Sequence, residues 1–220
     1  MPSTEPFEKN LKKYEDWFEE HRYAYLSEVE AVRQFIPENK NGIEIGIGSG
    51  RFALPFGIKE GVEPAKSMQE YSRRLGIKVY NGAAENLPLT NRSFDFALMV
   101  TTICFVDDIL QSFKEINRIL KPNGRFIIGM IDKYSSLGTA YENMKNQNEF
   151  YRMATFFSVD EVLGYLKETE FGGFQIIQTV FGDLKSMNEI QPFQTGYGQG
   201  GFVVIKANKL YELYSLLRKS

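Results

Sequence analysis

Apolar and polar positions along this chain follow two periods, and each change of period marks an element. From about Phe7 to Phe35, Tyr14, Trp17, Phe18, Tyr25, Leu26, Val29, Val32 and Phe35 recur at spacings near three and four with charges between them, which predicts one or two amphipathic helices. Pro37 and the polar run Glu38-Asn39-Lys40-Asn41-Gly42 close that segment. Ile43-Glu44-Ile45 then breaks into alternating glycines at 46, 48 and 50, the pattern of a buried strand, a tight turn and a helix start. A short helix through Leu54 to Phe56 ends near Gly57, and Ile58 to Glu63 reads as a second strand stopped by Pro64. Ala65 to Leu75 is a helix with Met68, Tyr71 and Leu75 on one face, and Ile77 to Tyr80 a third strand.

Asn81 to Pro88 reads as a turn and a half-helix, followed by the near-continuous apolar strand Ser93 to Val100, which requires helices on both of its faces. Ile109, Leu110, Phe113, Ile116, Ile119 and Leu120 form a helical stripe ended by Lys121-Pro122-Asn123-Gly124, and Arg125 to Ile131 is the fifth strand. Strand and helix alternate without interruption, which predicts an α/β doubly wound parallel sheet. Asp132 to Thr169 is longer than a simple crossover and rich in aromatics, and its Ser158-Val159-Asp160-Glu161 is a capping box for a helix reaching about Glu168. Phe174 to Phe181 and Gly201 to Ala207 read as two more strands separated by an irregular Gly/Gln-rich stretch. Asn208 to Arg218 completes the chain as a helix with Leu210, Leu213, Tyr214 and Leu217 on one face, packed on the body or serving as a dimer contact.

Composition narrows the classes. The 220 residues carry a net charge of −2, too little positive charge for a surface built to bind nucleic acid. They suffice for a single domain, organised as an N-terminal helical lid (1–40), a core (41–131), a helical insertion (132–170), closing strands (171–207) and a C-terminal helix (208–220). One cysteine, Cys104, excludes an internal disulfide, and one histidine, His21, leaves no Cys/His cluster for a structural zinc. No metal site, signal peptide or membrane span is expected, and a cytoplasmic monomer or homodimer acting on a small-molecule substrate fits these limits.

The glycine turn is the first candidate for chemistry. Its main-chain N–H groups approach a ligand with no Cβ between, and the following helix start adds partial positive charge. Glu63 closes the second strand at the edge of the sheet where ligands bind, placed to accept hydrogen bonds from both hydroxyls of a ribose. The aromatics of the N-terminal segment and the insertion, Tyr14, Trp17, Tyr134 and Tyr141 among them, are collectively candidates for a pocket wall, although for any one of them core packing is the better reading.

In order along the chain, Glu-Ile-Gly-Ile-Gly-Ser-Gly, Val-Glu-Pro, Ala-Glu-Asn-Leu-Pro, Ser-Phe-Asp and Ile-Leu-Lys-Pro-Asn-Gly resemble the motifs of the class I S-adenosylmethionine-dependent methyltransferases. Within that family the chain is similar to the branch acting on small molecules and quinone precursors. The resemblance spans about Asn41 to Lys206 and implies a Rossmann-like sheet of seven strands, mostly parallel with an antiparallel last strand and helices on both faces.

It also implies that Gly46, Gly48 and Gly50 line the methionyl part of the cofactor and that Glu63, followed by Pro64, binds its ribose. Met68 would pack on the adenine and Ala84 would meet it through its backbone. Thr101 and Thr102 would face the methionyl amine or carboxylate, and Glu44 would orient that amine. Two departures stand out. Ala83 occupies a position where many relatives carry an aspartate for the adenine amino group, which leaves Glu85 or main chain for that contact. Asn123 replaces a frequent glycine, and asparagine tolerates the left-handed conformation such a turn needs.

A nicotinamide fingerprint, Gly-x-Gly-x-x-Gly, would need its third glycine at Arg51. The implied reaction is methyl transfer from S-adenosylmethionine, with S-adenosylhomocysteine as product. Alternatives are a protein or peptide acceptor, or a module that binds the cofactor without transfer. Alignment of donor and acceptor supplies most of the catalysis, so a general base is needed only for a hydroxyl or a protonated amine. Asp107, Asp108 and His21 are the candidates, against simpler roles as helix caps and a structural histidine.

Overall fold

The computed structural model describes residues 4–210. Three helices open it, α1 (Glu5–Lys9), α2 (Leu11–Glu20) and α3 (Arg22–Arg33). The sequence suggests one or two; the extra breaks fall at Asn10 (φ −125°) and His21 (φ −113°), whose backbones leave the helical region. The core then runs β1 (Gly42–Ile45), β2 (Glu60–Glu63), α4 (Lys66–Arg74), β3 (Lys78–Asn81), β4 (Phe94–Val100), α5 (Ile109–Ile119) and β5 (Leu120–Ile131). It closes with α6 (Ser136–Met144), α7 (Val159–Glu168), β6 (Phe171–Thr179), β7 (Gln194–Thr195) and β8 (Phe202–Lys209).

These strands form one sheet in the order β3-β2-β1-β4-β5-β8-β6-β7. The first five are parallel, and β8 is inserted antiparallel between β5 and β6. After two strands, β2 and β3, laid to one side of β1, the chain crosses back to place β4 on the other, so the carboxyl ends of β1 and β4 diverge into the crevice where doubly wound sheets bind ligands. The apolar run of β4 explains its central place. Ala97 and Met99 join Phe113 and Ile116 of α5 and Val162 and Leu166 of α7, while Phe96, Leu98 and Val100 join Val29 and Val32 of α3 on the opposite face.

Four local readings need correction. The half-helix of Asn81 to Pro88 is a turn with one bridge between Ala83 and Asn86, because Glu115 and Arg118 of α5 satisfy its backbone at Leu87 and Leu89. The fifth strand begins at Leu120, which pairs with Phe94; Lys121 to Gly124 form an irregular excursion with Asn123 at φ +62°. An eighth strand, β7, pairs antiparallel with β6 from within the Gly/Gln-rich stretch. Finally, Asn208 and Lys209 belong to β8, and the rest of the suggested C-terminal helix, beyond Leu210, lies outside the described residues.

Among the described residues no helix is long and apolar enough to cross a membrane, and no group of three or more His, Cys, Asp or Glu residues could hold a metal ion.

Candidate active site

The turn after β1 is held by two bonds, from Gly46 N–H and Ile47 N–H to the Val62 carbonyl at 2.8 and 3.0 Å. Gly46 (φ +71°) faces Thr102 so closely that a Cβ there would lie 2.3 Å from Thr102 Cγ2, and the Thr102 hydroxyl donates to the Gly46 carbonyl at 3.2 Å. Gly48 (φ +53°) presents its bare side to the Tyr14 hydroxyl, which would meet a Cβ at 3.2 Å. Both positions need glycine for backbone conformation and for space.

Glu63 ties this turn to the end of β2. Its Oε2 accepts from Gly48 N–H and its Oε1 from Ala65 N–H, both at 2.8 Å. The side chain is buried, and desolvation pushes its carboxyl up to about 7, with the two N–H donors opposing that rise.

A narrow cleft, open to solvent, lies here. Gly46, Gly48, Glu63 and Pro64 line one part of it, Met68 and Ala84 another, and Thr101 and Thr102 a third. Thr101 adopts φ +50°, an uncommon conformation for a β-branched residue that costs on the order of 1–3 kcal/mol and clusters at functional sites. Helix α1 covers the cleft from above. The Glu8 carboxylate accepts from the first N–H groups of α4, at Lys66 and Ser67, and brings Phe7 onto the cleft wall.

Beside the cleft lies a second cavity of about 220 Å³, open to solvent at its mouth. Phe7, Tyr14, Thr101 and Phe105 line both spaces, so the two meet at these side chains. Trp17, Phe18, Phe52, Tyr141, Phe150 and Tyr151 supply most of the remaining wall, and Glu28 of α3 is set among them, buried to 3% exposure.

Other residues singled out from the sequence stand elsewhere. Gly50 does not line the cleft; its bare side faces Ile77. Glu44 lies within β1, behind the turn. Burial holds its carboxyl well above the usual range; the Ala53 N–H donates to it, and its Oε2 has no partner among the described residues. Glu85 is engaged with main chain, accepting from Asp107 N–H at 2.7 Å and Asp108 N–H at 3.3 Å.

Asp108 caps α5 by accepting from Gln111 N–H at 2.9 Å, and neither it nor Asp107 lines either space. His21 packs on Trp17, ring centroids 5.1 Å apart, also outside both. Tyr134 is 76% exposed beside Lys133, which removes it from the pocket wall. Cys104 is buried behind Thr101, whose carbonyl its thiol contacts at 3.3 Å.

The sequence reading passed over Glu28, Phe7 and Phe105. A glutamate interrupting the apolar stripe of α3, between Ala24 and Val32, was the available signal for the first. The two phenylalanines carry no periodic mark separating cavity wall from core.

A model of the methyltransferase domain matches residues 43–128, the segment holding the glycine turn and the central strands. An uncharacterised protein of Methanocaldococcus jannaschii is 41% identical over 93% of this chain and 98% of its own. A crystal structure from Thermotoga maritima, of an S-adenosylmethionine-dependent methyltransferase described as a possible histamine N-methyltransferase, superposes with a TM-score of 0.92 at 49% identity. That match covers 94% of this chain and 100% of the other. Likeness at this level, with the glycine turn, the acid after β2 and the sheet order in place, means that the chain belongs to the class I S-adenosylmethionine-dependent methyltransferases.

Proposed function

We propose that this enzyme transfers the methyl group to a small molecule held in the second cavity, with the cofactor in the adjoining cleft. One observation carries this reading: the two spaces share Phe7, Tyr14, Thr101 and Phe105, so a ligand in one abuts a ligand in the other. The aromatic walls and the cover provided by α1 and α2 suit an enclosed small acceptor better than a polypeptide lying across a surface. The description of the Thermotoga relative as a possible histamine N-methyltransferase agrees in kind.

The cleft fits the cofactor. Gly46 and Gly48 give a wall free of side chains, and Met68 and Ala84 give an apolar surface for the adenine. Each Glu63 oxygen accepts one N–H and keeps a lone pair for a ribose hydroxyl. Thr101 and Thr102 face the methionyl end. When bound, the cofactor supplies an already activated methyl group, which leaves the protein to align the acceptor and exclude water. Such alignment lowers barriers by about 7–11 kcal/mol. Tyr14 and Thr101 hold the acceptor's nucleophilic atom at the junction, and the aromatic walls keep the path dry. Asp107, Asp108 and His21 line neither space, so this reading assigns none of them the role of base.

Calorimetric titration of S-adenosylhomocysteine into wild type and Glu63→Ala tests the cofactor half. Loss of the ribose anchor is expected to weaken binding about 10- to 100-fold, the worth of hydrogen bonds to a charged group. Equal affinity in the two proteins would remove Glu63 from the site.

A further inference from the structure

The carboxyl group of Glu28 has no evident purpose in a merely apolar pocket. It sits on the cavity wall at 3% exposure, and burial raises its titration to about 8 with no hydrogen bond or cation among the described residues to offset the cost. Trp17, Phe18, Tyr141 and Tyr151 line the same cavity. Tyr141 and Tyr151 stack on each other at 4.7 Å and Arg51 lies over Phe18, so the indole of Trp17 is the ring best placed to meet a positive charge there. The charge of Glu28 reaches Tyr25 on its own helix, Tyr141 on α6 and Tyr151 beyond it.

The ionic groups on the same wall come from α2. They are Lys13, paired to Glu149 at 2.6 Å, Asp16, paired to Lys12 at 2.5 Å, and Glu20. The one cation among the lining residues is thus already engaged, and the balance of the wall is negative. A buried acid on an aromatic-lined wall, with no ion-pair or hydrogen-bond partner among the described residues, has the chemistry to receive an organic cation.

We propose that the acceptor is a small organic amine whose ammonium group binds Glu28 between the aromatic walls. This rests on the reading of the second cavity as the acceptor site and names its ligand class. Glu28 lines that cavity but not the cleft, whereas Tyr14 and Thr101 line both. The ammonium and the atom that receives the methyl group are therefore two ends of one molecule. Glu28 is a recognition residue at one end, and the nucleophile waits at the junction.

An ammonium ligand favours ionised Glu28, so binding to the half-protonated cavity expels a proton. For a probe of fixed charge, affinity therefore rises with pH and levels off above about 8.

The test uses the full chain saturated with S-adenosylhomocysteine and three probes: phenethylamine, its neutral counterpart phenethyl alcohol, and benzyltrimethylammonium. Phenethylamine is expected to bind wild type at least about tenfold tighter than the alcohol, and Glu28→Gln to abolish that preference. Retained S-adenosylhomocysteine binding reports that the variant is folded. Wild type alone gives a second arm, in which benzyltrimethylammonium affinity climbs with pH toward a plateau near 8.

Equal binding of amine and alcohol overturns the proposal, as does a preference that survives Glu28→Gln or a flat pH profile. Absence of amine binding at millimolar concentration to protein that does bind S-adenosylhomocysteine overturns it too, while leaving the cofactor cleft standing. Failure to bind S-adenosylhomocysteine instead sinks the reading on which the proposal rests.

Discussion

Glu63 and Glu28 are both buried carboxyls, and their surroundings assign them different work. Glu63 has two main-chain N–H donors at 2.8 Å, which oppose the desolvation that raises it to about 7; Glu28 has none and stands near 8. Ribose hydroxyls donate best to an ionised acceptor, so cofactor binding favours the charged form of Glu63. S-adenosylhomocysteine affinity should therefore increase as pH rises through about 7 and then level off, and Glu63→Gln should flatten the profile. A profile unchanged in the variant would place the titration elsewhere. The place of Glu63 at the cleft was legible from the chain because an acid closing a strand ahead of proline, beside a glycine turn, falls at the edge where the sheet opens. Glu28 was not: helical spacing assigns it to the apolar face of α3 without telling a buried acid at a cavity from one snorkelling to solvent.

The cover over the site depends on a few polar contacts between elements. Arg51, just past the glycine turn, reaches α2 at Glu15 (2.7 Å) and Glu19 (3.3 Å) and lies over the Phe18 ring at 5.1 Å. Its carbonyl accepts from the Tyr25 hydroxyl of α3 at 2.6 Å. The Glu19 contact is mostly exposed and contributes little; the Glu15 contact and the ring packing matter more. Arg51→Ala should cost on the order of 1 kcal/mol, and its effect should be local. We expect faster amide exchange across α2 and faster S-adenosylhomocysteine dissociation, with β4 and β5 still protected; unchanged exchange in α2 would show that its apolar face alone seats it. Elements buried on both faces, such as β4, were legible because a short apolar run bounded by turn residues is too brief for a buried helix and fits a covered strand. The insertion, the turn at Gly82 to Pro88 and the edge strand β7 were less so. Their backbone bonds are completed by distant partners, Glu115, Arg118 and β6, that no local pattern names.

At the scale of the molecule, three glutamates among the described residues, Glu28, Glu44 and Glu63, are held above the ordinary glutamate value of 4.5 chiefly by burial, and Asp132 is raised above its own ordinary value by the same cause. Each keeps its proton in the folded chain at a pH where the unfolded chain has released it. Their combined effect is that stability is greatest below about 4.5 and is lost as pH rises, until each folded group ionises in turn, near 7 for Glu63 and near 8 for Glu28. Carboxyls lowered by partners, such as Glu8, Asp95, Glu115 and Glu161, act in the opposite sense, but their contribution is complete above the unfolded value and fades only in acid. Between about pH 5 and 7 the slope therefore reports the raised acids, each worth up to about 1.4 kcal/mol per pH unit. Urea unfolding of the ligand-free protein should show stability falling across that window, and Glu28→Gln and Glu63→Gln should each make the fall shallower by up to that amount. S-adenosylhomocysteine should stabilise more strongly at the upper end of the window, because it selects ionised Glu63, and an organic ammonium should do the same through Glu28. If neither variant alters the slope, these carboxyls are ionised in the ligand-free fold. The acids of cleft and cavity would then be charged before any ligand arrives.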